Sequence, residues 1–339
     1  MAEIARFFGT KFADVNNRIS SYRYLQEFME RAHKDWTRPP NTEAVVAELR
    51  QEFKTFSNLD FAFLINHTGY IPETYPPDSS QETLYSKLVE AVVLEWAIRM
   101  DFPSSYLPSQ KASMEDVAIS DVENIIVCDS KSFRLGRSQA APNVKDVLKH
   151  ADIGKWLSAH GSLNQLGGLV TFPSQHDWKK GSDFYQYTTD ASLPTIALYY
   201  EHLSYFLASS TPKTKLINAF LNYGDIFPVP RKKNENNRDY YYSKIINDLF
   251  GDQRIQFDEF MGTATALVKE VVFYWESELS EHIKKTESAI REKFEKVTDI
   301  ELLRAHVVKS EVLRQTEDLS KQQDRIKRFR DSSKRFLTN

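Results

Sequence analysis

Residues 115 to 131 read EDVAIS, DVEN and IIVCDSK, two short β-prone runs held apart by four residues of turn chemistry. That spacing predicts an antiparallel hairpin. It constrains the chain more than any other segment because it fixes which side chains meet. With DVEN as the turn, Ser120 faces Ile125, and counting back pairs Ile119 with Ile126, Ala118 with Val127, Val117 with Cys128, and Asp116 with Asp129. Directly opposed residues share a face, with Cβ atoms about 4.5 to 5.5 Å apart. Strand alternation puts Lys131 on that face as well, one pleat further on.

Two carboxylates held opposite each other destabilise a sheet unless something compensates them. A divalent cation is the simplest compensation, since Mg²⁺ favours sites of one or two carboxylates completed by water and substrate phosphate. A lysine beside them adds fixed positive charge near an attacking water and near the charge developing at phosphorus. This is the chemistry of phosphodiester hydrolysis. On spacing alone a D-x-K tripeptide is also an ordinary pair of surface charges. A register one residue over would send Asp116 to the opposite face.

The rest of the chain supplies a helical setting. Residues 1–66 read as an N-terminal helical layer: FADVNNRISSYRYLQEFMERAHKDW runs to a TRPPN break, and Asn41 can cap a second helix through Phe56. The Pro-rich HTGYIPETYPPDSS is loop. Leu84, Leu88, Val92, Trp96 and Met100 then recur every four residues, the apolar face of one long helix. After the loop SFRLGRSQAAP, Asn143 can cap a helix toward Trp156. GLVTF (168–172) and TIALYY (195–200) read as strands, and EHLSYFLAS as a helix leaving the second. Residues 264–336 are dense in charge and nearly free of breakers, which suggests two long helices hinged near VTDIE. Three regions result: 1–66, a central 67–250, and helical 251–339.

Composition narrows the function classes. A net charge of −3 over 339 residues gives no overall attraction to nucleic acid, so DNA binding would have to come from local basic clusters. The single Cys128 excludes an intrachain disulfide and a cysteine-based zinc site, and suits a reducing compartment. The eight histidines lack zinc-ligand spacing, and no G-x-S-x-G elbow is present. The apolar stretch LVEAVVLEWAI carries glutamates that make it a poor membrane span, and the start shows no cleavage pattern. The expectation is a cytoplasmic protein with no membrane contact.

EDVAI, a turn and IIVCDSKSFRLGR resemble the PD-(D/E)xK nuclease core. The segments GYIPETYPPDSSQETLYSK, DSKSFRLGRSQ, LYYEHLSYFL and IFPVPRKKN are similar to the HindIII type of type II restriction endonucleases, over roughly residues 65 to 250. The resemblance implies an α/β (α+β) fold, a small mixed sheet flanked by many helices, to which the long C-terminal helices add packing or dimerisation. It implies that Asp116 and Asp129 are metal ligands and that Lys131 orients or activates water. Glu115 stands where the motif usually has proline. It further implies a Mg²⁺-dependent, sequence-specific hydrolase of double-stranded DNA. The enzyme would be a homodimer on a short palindrome (the family's own target would be AAGCTT), leaving 5′ overhangs. A companion DNA methyltransferase would spare host DNA.

Further candidates surround the core. In this family the SSQETLYSK segment contributes another acid near the active site, which nominates Glu82. Ser79-x-x-Glu82 is equally a capping box. Glu90, two turns on, is expected to be structural. Arg134 and Arg137 are candidate DNA contacts in the loop after Lys131. Arg231, Lys232, Lys233 and Arg238 form a second basic cluster for phosphate, or a solvated loop. Lys321, Arg325, Lys327, Arg328, Arg330, Lys334 and Arg335 make the last helix basic, for DNA or for a solvated or dimer-forming face. Two other functions compete: a repair-type nuclease on the same core, and a noncatalytic DNA-binding or coiled-coil protein, although heptad order in the tail is poor.

Overall fold

The computed structural model of the chain describes residues 2–109, 114–137, 141–228, 232, 235–295 and 300–327. Helices α1 (Ala2–Phe8), α2 (Val15–Ala32), α3 (Thr42–Phe53) and α4 (Asn58–Asn66) form the N-terminal layer. Asn41 caps α3 by accepting from Ala44 N at 3.1 Å. Strand β1 (Tyr70–Ile71) leads to the long helix α5 (Ser80–Arg99), and then come β2 (Val117–Ser120), β3 (Asn124–Ser130) and β4 (Phe133–Arg134). Helices α6 (Val144–Leu148) and α7 (His150–Ser158) precede β5 (Asn164–Phe172), and α8 (Tyr185–Thr188) precedes β6 (Thr195–Tyr199). Helix α9 (Tyr200–Ala208) starts where β6 stops. After it come α10 (Lys213–Leu221), α11 (Tyr223–Ile226), α12 (Arg238–Phe250), α13 (Arg254–Glu295) and α14 (Glu301–Lys327).

The four-stranded sheet has the order β2-β3-β5-β6, with β2 antiparallel to β3 and the other pairs parallel. The parallel joints need crossovers, which α6–α7 and the 173–194 segment supply. Both faces are covered by helices, so the strands read as almost continuous apolar runs rather than alternating ones. The mixed α+β architecture expected from sequence is the one observed.

The hairpin register is the one counted from the turn: Val117 opposite Cys128, Ala118 opposite Val127, Ile119 opposite Ile126 and Ser120 opposite Ile125. Asp121 fixes that turn by accepting from the backbone of Glu123 and Asn124 at 2.9 and 2.8 Å, which locks the hairpin at four residues. A second, two-stranded parallel ladder joins β1 to β4, with Tyr70 opposite Phe133 and Ile71 opposite Arg134. It brings the GYIPETY and SKSFRLG segments side by side.

Two expectations are corrected. The helix from Asn143 toward Trp156 is interrupted at Lys149, which adopts φ 38° and splits it into α6 and α7. Asn143 makes no side-chain cap of α6. The long C-terminal pair begins at Arg254, ahead of the expected 264, and α13 packs along α14. Most of the expected hinge, residues 296–299, lies outside the described residues. No described helix is long and apolar enough to cross a membrane.

Candidate active site

The end of β3 is where the charged residues gather. Asp116 lies just ahead of β2, and its backbone N–H donates at 3.0 Å to the carbonyl of Cys128, the residue already paired with Val117, so the regular pairing stops there. Its carboxyl accepts from Ser130 N at 2.9 Å through Oδ2. The Asp116 and Asp129 carboxyls lie close enough for each to act electrostatically on the other. Lys131 Nζ lies 2.5 Å from Asp129 Oδ2, with the lysine side chain 16% and the aspartate 4% exposed. The structure thus brings Asp116, Asp129 and Lys131 near one another at one sheet edge, but the ladder ends at Val117 opposite Cys128 and does not extend to the counted pair of Asp116 and Asp129. Cys128 is fully buried, and burial pushes its thiol well above the ordinary value, consistent with a core filler rather than a nucleophile.

Glu90, expected to be structural, lies beside these carboxylates. It sits on α5 in contact with the sheet, and burial raises its carboxyl above the ordinary range against the opposing pull of Lys87. Asp129 repels it and Lys131 attracts it. Asp116 feels the same crowding. Burial, then Glu90, then Asp129 push its carboxyl up to about 8 from an ordinary 3.8. The signal was present: Glu90 interrupts LVEAVV, a wholly apolar run whose neighbours face the core. A carboxylate buried among such neighbours requires a partner.

Glu82 is placed differently. Ser79 caps α5 by accepting from the Glu82 backbone N–H at 3.3 Å, and the Glu82 carboxylate accepts from Asp78 N at 2.8 Å. It also takes the Arg134 guanidinium at 2.9 Å. None of these hydrogen bonds or ion pairs reaches Asp116, Asp129 or Lys131. Arg134 is only 13% exposed, and besides Glu82 it donates to the Pro72 carbonyl at 3.4 Å. Arg137 lies over the Phe133 ring, 4.8 Å from the centroid, and has no carboxylate partner among the described residues. Lys232 is exposed.

Lys233, Arg231, Arg328, Arg330, Lys334, Arg335 and the Arg325 side chain lie outside the described residues. Arg238 is corrected from a phosphate contact to a buried strut: its guanidinium meets Asp177 at 2.6 Å and donates to Tyr199 Oη at 2.9 Å. Lys321 and Lys327 are paired with Glu317 and Glu276 at 2.6 and 3.7 Å.

The donor set fits a hard divalent cation. Two neighbouring carboxylates, one of them pushed toward its protonated form by burial and then by the nearby acids, are what such an ion neutralises. No three His, Cys, Asp or Glu side chains among the described residues are gathered tightly enough to cage an ion by themselves. Mg²⁺ needs no such cage, since it keeps several waters and takes substrate phosphate as a ligand.

Comparison with known proteins agrees with this chemistry. A model of the HindIII restriction endonuclease family matches residues 35–322. The chain is also similar to the type II restriction enzyme HindIII of Haemophilus influenzae. The two are 24% identical over 220 residues, covering 59% of this chain and 69% of that relative.

Proposed function

The chain belongs to the HindIII restriction endonuclease family, a family of type II site-specific deoxyribonucleases, and from that premise we propose that it hydrolyses double-stranded DNA with Mg²⁺ at a short palindrome. AAGCTT is the candidate site, and the cut leaves 5′ overhangs. The enzyme works as a cytoplasmic homodimer, each protomer cutting one strand, because two-fold symmetry in the protein matches two-fold symmetry in the site. A companion methyltransferase protects the host copy of that sequence.

The observation that carries this reading is the closeness of the Asp116 and Asp129 carboxyls with Lys131 Nζ 2.5 Å from Asp129. Asp116 and Asp129 would hold Mg²⁺, with Glu90 adding negative charge from α5. The bound ion supplies Lewis acidity toward a phosphoryl oxygen. Lys131 supplies a cation at the edge of the same site, where it orients the attacking water and offsets charge developing at phosphorus. The sheet and α5 exclude bulk solvent behind the carboxylates, which strengthens each of these interactions. Arg137 and the exposed Lys232 would take DNA phosphate. Arg134 anchors the loop that carries Arg137 through Glu82.

Digestion of phage and plasmid DNA tests the proposal, with Mg²⁺, with EDTA, and with Lys131→Ala beside the wild type. Discrete fragments that require Mg²⁺ and vanish in the variant are expected. Mapped ends within AAGCTT would establish the site, and ends elsewhere would replace it. Intact DNA from the wild type across substrates and salt concentrations would sink the catalytic reading.

A further inference from the structure

Lys87 and Glu90 sit three residues apart on α5, hence on one face of the helix. The Lys87 ammonium meets both Glu90 carboxylate oxygens, at 2.7 and 2.8 Å. The pair is asymmetric: the lysine side chain is 42% exposed and the glutamate 8%. The buried Glu90 carboxylate also lies within electrostatic reach of Asp116, Asp129 and Lys131. Lys87 therefore stands at the solvent side of the carboxylate group, while Lys131 lies deeper and is committed to Asp129.

Resting on the nuclease reading, we propose that Lys87 is a substrate-positioning residue. It serves as the counter-ion of Glu90 while the carboxylates lack a divalent cation, and it contacts a DNA phosphate once they hold one. The argument is one of charge and access. Glu90, Asp116 and Asp129 face two ammonium groups, and a cation carried by the carboxylates takes over the neutralisation that Lys87 provides. The ammonium released is the solvent-reachable one, on a flexible stem long enough to swing toward an incoming strand. Binding order follows: metal first, then tight DNA. Lys87 thereby couples occupancy of the carboxylates to affinity for substrate.

Anisotropy titration of a labelled duplex carrying the cleaved site tests this, for wild type and Lys87→Gln, each with Ca²⁺ and with EDTA. With Ca²⁺, Lys87→Gln should bind about 10-fold more weakly, and its slope of log Kd against log salt should fall by about one, the signature of one lost phosphate contact. With EDTA the two proteins should bind alike, because Lys87 is then held by Glu90. Lys87→Arg should restore the Ca²⁺ affinity. Should Lys87→Gln unfold because Glu90 is left uncompensated, the double variant with Glu90→Gln is compared with Glu90→Gln alone, and the same difference is expected. Identical curves and slopes with Ca²⁺ overturn the role of Lys87. A wild type that neither binds nor cuts DNA overturns the nuclease reading itself, so the two failures are told apart.

Discussion

Tyr200 Oη donates to the Lys131 carbonyl at 2.8 Å and is hydrogen-bonded to Ser130 Oγ at 3.1 Å. From the other side, Lys131 N donates to the Thr171 carbonyl at 2.8 Å. The peptide carrying the lysine is thus fastened at both ends, and the ring that does this leans on Gly69. At φ +89° a Cβ on Gly69 would stand 2.5 Å from the Tyr200 ring, so only glycine lets the chain pass there. Displacing a reacting group by about 1 Å can cost on the order of 100-fold. Tyr200→Phe keeps the ring and loses the hydroxyl, so kcat should fall by roughly 10- to 100-fold with KM little changed. Steady-state cleavage of a short duplex decides the matter: a variant with wild-type kcat would leave Tyr200 as core alone.

At the scale of elements, the loop after β3 is clamped by the C-terminal helices. Gly136 N donates to Glu73 Oε1 at 2.6 Å, and Gly136 lies so close to α14 that a Cβ there would meet Gln322 Cβ at 2.8 Å and its Cα at 3.0 Å. Helix backbone cannot yield as a side-chain tip can, so Gly136→Ala must shift α14 or the loop, at about 1 to 3 kcal/mol. Thermal unfolding should register that loss, and cleavage should weaken with it because Arg137 sits on the displaced loop. An unchanged melting temperature would mean that α14 does not brace the site. This brace was not legible in the sequence, because a contact between residues 136 and 322 leaves no local pattern. The hairpin was legible because a four-residue turn and period-two alternation fix the register from Ser120 back to Val117, whereas Asp116 and Asp129 come close just beyond the last regular pair. Glu90 was half legible: its apolar neighbours marked it as buried, but nothing local says that α5 lays it against β3. Arg238 misled because a basic residue beside a polar loop reads as solvent-facing, whereas its partner Asp177 is 61 positions away.

For the whole molecule, the buried charge makes stability depend on pH in a direction that can be worked out. Asp116 has its carboxyl raised from 3.8 to about 8 in the fold by burial, then by Glu90 and Asp129, so the native state holds a proton that the unfolded chain gives up. The stability this proton contributes is fully present below about 4 and is lost as pH rises toward about 8. His67 and His202 act in the opposite sense. Burial pushes both down to about 3, so their contribution is complete above 6.5 and disappears only as pH falls below it. Between 6.5 and 8 the histidines are therefore silent and Asp116 governs. Without metal or DNA, the melting temperature should decline across that window in the wild type and stay level in Asp116→Asn. A cation on Asp116 and Asp129 must displace the proton, so stabilisation by Mg²⁺ should be larger at pH 8 than at pH 6.5. At a concentration of 100 Kd it should reach about 2.7 kcal/mol. Melting curves recorded with and without Mg²⁺ at the two pH values suffice. A wild type whose stability rises from 6.5 to 8, or gains equally from Mg²⁺ at both, would show that Asp116 and Asp129 do not form the ion site.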